Sequence, residues 1–186
     1  MLSYLAATLP DSAAPATRLL ALQCALRVDN NLRVRLPKGV LRSLRLDSPE
    51  PWHELERSRW LRTMHPSTSG EIAAQLFDAP LLGQAPARPD RRRAADWALR
   101  ASRPSRTGPT GVMPRLASVY LAAHADSSGR GLTEPDRMAR VCGLQPEELA
   151  CVLDQLTAAG RLGAWQSCPY TEDLHWVLGP PAEESG

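Results

Sequence analysis

Apolar positions along the last third of the chain fall first at helical and then at strand spacing. Residues 116–124 make an apolar helical segment, ended by the turn-rich run from Asp126 through Ser127, Ser128 and Gly129 to Gly131. Thr133 stands where it can cap a second helix whose first turn tolerates Pro135, and Cys142-Gly143 closes that helix. A third helix is predicted over residues 147–159, where Leu149, Val152, Leu153 and Leu156 form one stripe and Gly160 supplies a left-handed end. Residues 161–166 and 174–178 then read as two strands around the turn at 169–173.

This order resembles a winged helix-turn-helix DNA-binding domain, over residues 116–178. The resemblance rests on the whole succession of elements and covers about a third of the chain. It implies a third helix offered to the major groove of duplex DNA, with a hairpin wing beside it. Winged helices also serve as protein-docking and dimerisation modules, so the fold alone does not assign a function.

A weaker copy of the same pattern precedes it at an offset of 96 to 98 residues. Leu36-Pro37 aligns with Leu132-Thr133; Val40, Leu44 and Leu46 match Met138, Cys142 and Leu144; and Ser48-Pro49-Glu50 matches Gln145-Pro146-Glu147. Leu19, Leu22 and Leu26 supply a first helix, followed by an Asp29-Asn30-Asn31 turn and a short strand over residues 32–36. Residues 50–64 are expected as the third helix, residues 65–70 as a loop and residues 71–77 as a wing strand. The expected fold class is therefore mainly α with small β-hairpins, a tandem winged helix-turn-helix. Its parts are an N-terminal domain at 1–83, a Pro/Arg-rich linker with one short helix at 84–114, and a C-terminal domain at 115–180.

Composition adds charge asymmetry to this outline. The 186 residues carry a net charge of +2, but residues 1–110 hold 17 Arg and Lys against 10 acids, a balance of +7. Residues 111–186 hold 5 against 10, a balance of −5, so a polyanion-facing surface is expected in the N-terminal half. Lys38 is the single lysine, and the bias to arginine and alanine fits a GC-rich coding sequence, which weakens arguments from arginine content alone. No segment approaches the roughly 20 apolar residues of a membrane helix, and the N-terminus has no basic region ahead of an apolar core. A cytoplasmic protein is expected, nucleoid-associated if it binds DNA.

The two third helices differ in chemistry. Outward positions of the C-terminal one, Ala150, Cys151, Asp154, Gln155 and Ala158, carry no cation and one acid, which suits a dimerisation or partner surface. The N-terminal one carries His53, Arg57, Arg59 and Arg62, where arginine can bond guanine edges or clamp phosphates. Its apolar residues spread around more than half the circumference, and Glu54 and Glu56 stand close enough in sequence to pair with the arginines. Arg33 and Arg35 on the strand, with Lys38, Arg42 and Arg45 on the second helix, are expected on backbone phosphates. The arginines between 103 and 109 could follow a phosphate backbone or enter a minor groove, or belong to a solvated hinge.

Catalysis is not expected. His53, His65, His124 and His175 have no nucleophile arrangement beside them, and no phosphate-cradling loop or paired carboxylates occur. Four scattered cysteines indicate neither a disulfide framework nor a metal site, and no cofactor is implied. Two function classes stay open. One is a DNA-binding protein, a transcriptional regulator or a plasmid replication or partition factor; the other is a protein-interaction scaffold without nucleic acid.

Overall fold

Two stretches of chain each close around their own core, Met1–Arg100 (unit 1) and Ala101–Gly186 (unit 2). The computed structural model describes residues 1–64, 70–103 and 111–180. The expected wing loop at 65–69 and most of the arginine-bearing run at 103–109 lie outside the described residues.

Unit 1 is built on a helix that is buried almost all round. After α1 (Leu2–Thr8) comes α2 (Pro15–Arg27), which starts at a proline and buries every residue from Thr17 to Leu26. Its one buried cation, Arg18, is accommodated because Nε donates to the Ala13 carbonyl at 2.9 Å and Nη2 to those of Pro10 and Asp11 at 3.0 Å. Around it lie β1 (Arg33–Pro37), α3 (Lys38–Leu44), α4 (Glu50–Arg57), β2 (Leu61–Thr63) and β3 (Glu71–Leu76). The strands form an antiparallel sheet in the order β1-β3-β2. Strand alternation sends Val34, Leu36, Ala74 and Leu76 inward and Arg33 and Arg35 outward. The chain continues through α5 (Pro80–Gln84) to α6 (Arg88–Ala101), the helix expected inside a linker. Ala95 and Ala98 of α6 are buried, and its Arg91 bonds the Val28 and Pro86 carbonyls at 2.9 and 2.8 Å.

Unit 2 comprises α7 (Val112–Ala123), β4 (Arg130–Thr133), α8 (Pro135–Cys142), α9 (Pro146–Ala158), β5 (Leu162–Ser167) and β6 (Leu174–Leu178). Its antiparallel sheet runs β4-β6-β5, with Trp165 opposite Trp176. Leu149, Val152, Leu153 and Leu156 are the buried stripe of α9, which starts with a capping box between Gln145 and Glu148. Gly131 is obligatory, because a Cβ there would lie 2.0 Å from the Trp176 ring.

The same hydrogen bonds close the same turns in both units. Asp29 Oδ1 accepts from the amides of Asn31 and Arg33 at 2.8 Å, as Asp126 Oδ1 does from Ser128 and Arg130 at 2.8 and 3.0 Å. Leu46 N bonds Leu41 O at 2.8 Å and Leu144 N bonds Ala139 O at 2.9 Å. Trp60 N bonds Leu55 O at 3.0 Å and Arg161 N bonds Leu156 O at 2.9 Å. Each of these turns contains a residue with positive φ: Gly129, Gly143 and Gly160 in unit 2, but Leu32, Arg45 and Arg59 in unit 1.

The structure corrects the expected fold class. With about 52% helix and 18% strand, the protein is a mixed α/β fold rather than mainly α, and three-stranded sheets replace simple hairpins. In unit 2 the extra strand is β4, in a stretch expected as turn and cap. Thr133 lies in that strand, its hydroxyl 2.9 Å from the buried Tyr120 hydroxyl, and Glu134 precedes α8 with no side-chain cap. In unit 1 the third helix stops at Arg57 instead of Met64, because Arg59 turns left-handed at φ 56° and Leu61 enters the sheet.

Candidate nucleic-acid interface

All eight basic residues singled out in the N-terminal half are exposed, and they are spread over α3, the sheet, α4 and the turn after α4. Lys38 and Arg42 lie four residues apart on one stripe of α3, and Arg45 follows as its left-handed C-cap. Arg33 and Arg35 stand on β1 and Arg62 on β2. The register sets Arg33 and Arg62 on either side of Gln75, and Arg35 next to Ala73, so all three arginines share the outer face of the sheet. Of the three arginines assigned to the third helix, only Arg57 is on α4. Arg59 sits in the turn after it, and Arg62 has become a strand residue because the helix ends early.

Glu54 and Glu56 do not neutralise these arginines. Glu54 is turned towards α2, where its carboxylate accepts from the Ala14 amide at 3.3 Å and from the Thr17 hydroxyl. Glu56 is turned towards β2 and accepts from the Thr63 amide at 2.8 Å and the Thr63 hydroxyl. Those two bonds hold the Glu56 carboxyl below the usual glutamate range, the side-chain bond contributing most. Glu50, at the start of α4, is held low by the Ser48 hydroxyl. The exposed positions of α4 are therefore Glu50, His53 and Arg57, one face at helical spacing with two potential donors and one acceptor. Among the described residues, none of the eight basic side chains forms an ion pair, and Arg62 Cζ lies over the Phe77 ring at 6.0 Å.

Unit 2 offers a different surface. Ala150, Cys151, Asp154, Gln155 and Ala158 are all exposed on α9, and Asp154 accepts a bond from Trp165 Nε1 at 2.9 Å. Arg130, Arg137 and Arg140 are exposed elsewhere in this unit, on β4 and α8. The outer face of its sheet is mixed: Leu132 and Val177 are 55% and 38% exposed, and the register sets Arg130, Gln166 and His175 beside them. His124 stacks on Tyr120 at 4.2 Å and its Nδ1 lies 2.8 Å from the Tyr120 carbonyl, which accounts for that histidine structurally. Among the described residues, no cluster of His, Cys, Asp or Glu is placed to hold a metal ion, and all four cysteines are free thiols.

Sequence reasoning missed Phe77 and Gln75 as outer-face neighbours of the arginines. The signal was present in the period-two continuation from Ala73 through Gln75 to Phe77, but it needed the pairing register to become visible. The glutamate partners Thr17 and Thr63 lie 37 and 7 residues away and leave no sequence signature. No protein-family model matches this chain, and no curated protein or solved structure matches it either.

Proposed function

We propose that the chain is a DNA-binding protein of the winged helix-turn-helix kind, acting in transcriptional regulation, with unit 1 as the module that docks on duplex DNA. The observation that carries this reading is the freedom of the basic side chains. Eight exposed cations in one unit have no carboxylate partner among the described residues, while the two nearest glutamates are bound to threonines. Such cations have phosphates as their natural partners. The succession of α2, β1, α3, α4, β2 and β3, with sheet order β1-β3-β2, supports the winged-helix resemblance. On this reading Lys38, Arg42 and Arg45 bind the backbone and the His53 and Arg57 face of α4 meets base edges. Unit 2, acidic on α9 and with Leu132 and Val177 exposed on its sheet, serves self-association or a protein partner.

The test is direct binding of the full chain to duplex DNA drawn from a genomic pool. Affinity should fall by orders of magnitude between about 50 and 200 mM salt, because each neutralised phosphate releases condensed counterions. A folded chain that binds no duplex at low salt removes the DNA reading and leaves a scaffold built on protein contacts.

A further inference from the structure

We propose that the outer face of the β1-β3-β2 sheet is a second nucleic-acid surface, one that takes a single strand. Arg33, Arg35 and Arg62 share this face, set around Gln75 and Ala73 by the register. Phe77 is 53% exposed and carries the Arg62 guanidinium over its ring at 6.0 Å, while Met64 on the same face is 41% exposed. An aromatic ring left open among cations suits a base more than it suits a duplex, whose bases are already stacked and which offers mainly phosphates from outside. Glu71 lies at the end of the face where β1 gives way to α3, two rows from Gln75. Asp78, next to Phe77, is occupied elsewhere, accepting from the Tyr4 hydroxyl at 2.6 Å and from Trp60 Nε1 at 3.2 Å. Around Gln75 and Phe77 the face is therefore cationic and aromatic, complementary to a single-stranded polyanion, while Glu71 stands one row beyond Arg35 at its far end. A base would stack against Phe77 or the guanidinium lying on it, and Arg33 and Arg35 would follow the phosphates along β1.

The probe is a labelled oligothymidylate of about 15 nucleotides, titrated against the full chain at low salt, with a short duplex measured in parallel. Phe77→Ala should weaken oligothymidylate binding about tenfold, which is one stacking contact removed, and leave duplex affinity unchanged. Phe77→Tyr, which keeps the ring, should bind like the wild type. Arg33→Gln with Arg35→Gln should lower the salt dependence of single-strand binding by about 0.7 per cation. Absence of oligothymidylate binding by the wild type overturns the proposal, as does a Phe77→Ala variant with unchanged affinity or with equal losses on both probes. Single-strand binding without duplex binding would support this face while removing duplex docking by α3 and α4.

Discussion

Arg45 and Arg59 occupy backbone positions that glycine fills in unit 2, at φ of 58° and 56° against 66° for Gly143 and 69° for Gly160. A non-glycine residue in this region costs roughly 1 kcal/mol through the contact of Cβ with the backbone. Both arginines are exposed, so no burial of their side chains offsets that cost, whereas a phosphate contact would. Arg59→Gly is therefore expected to raise unit 1 stability by roughly 1 kcal/mol while weakening duplex binding, read by thermal melting and by titration. A lower melting temperature would mean the turn is not strained. Glu56 supplies a second residue-level expectation. Its folded-state pKa is depressed by Thr63, so its contribution to stability is present above the unfolded glutamate value and is lost as pH falls through the folded one. Thr63→Val should shrink the loss of stability seen on acidification below about pH 4.3, measured as the shift in urea midpoint; an unchanged pH profile would show that this bond does not couple to folding.

The third helices show what the sequence could reveal about elements. In unit 2 Gly160 marked the end of α9, and the apolar spacing from Leu149 to Leu156 gave its buried face. In unit 1 the same turn is made by Arg59, a residue with no turn signature, so the helix was extended over Trp60 and Leu61, which are buried for a different reason. β4 was hidden likewise, since its short Arg130–Thr133 sequence has an alternation that only pairing with β6 makes meaningful. α1 left no signal beyond Leu5 and Leu9, whose burial depends on the fold around α2. Leu153 is fully buried on α9, and Leu153→Ala should destabilise unit 2 by about 2 to 5 kcal/mol through the cavity created; a melt unaltered by it would contradict the packing of that helix. The corrected helix ends also divide the arginines. Arg57→Ala, on the open face of α4, should relax sequence preference by about 1 to 3 kcal/mol at the position read, whereas Arg42→Ala and Arg59→Ala should weaken all duplexes alike. Competition between specific and scrambled duplexes separates the two behaviours, and uniform weakening by Arg57→Ala would remove base readout from α4.

At the scale of the whole molecule, charge is partitioned along the chain, and the partition was visible in the sequence as +7 over residues 1–110 against −5 over residues 111–186. Which cations were usable was not visible there. Arg18 and Arg91 count towards the basic balance yet are buried against backbone carbonyls, while Arg27 is paired with Asp96 at 3.2 Å. Arg88, Arg92, Arg93 and Arg100 of α6 are exposed as well, Arg93 beside Asp90, so the proposed duplex docking through Lys38, Arg42 and Arg45 has to be separated from the general basic balance by thermodynamics. The measurement is the slope of log affinity against log salt for the full chain on one duplex, compared with a variant carrying Lys38→Gln, Arg42→Gln and Arg45→Gln. Removing three phosphate contacts should flatten the slope by nearly three, at about 0.9 per contact, with the variant's melting temperature close to the wild type's. An identical slope for the two proteins would contradict docking through α3 and, with it, the assignment of unit 1 as the DNA-binding module.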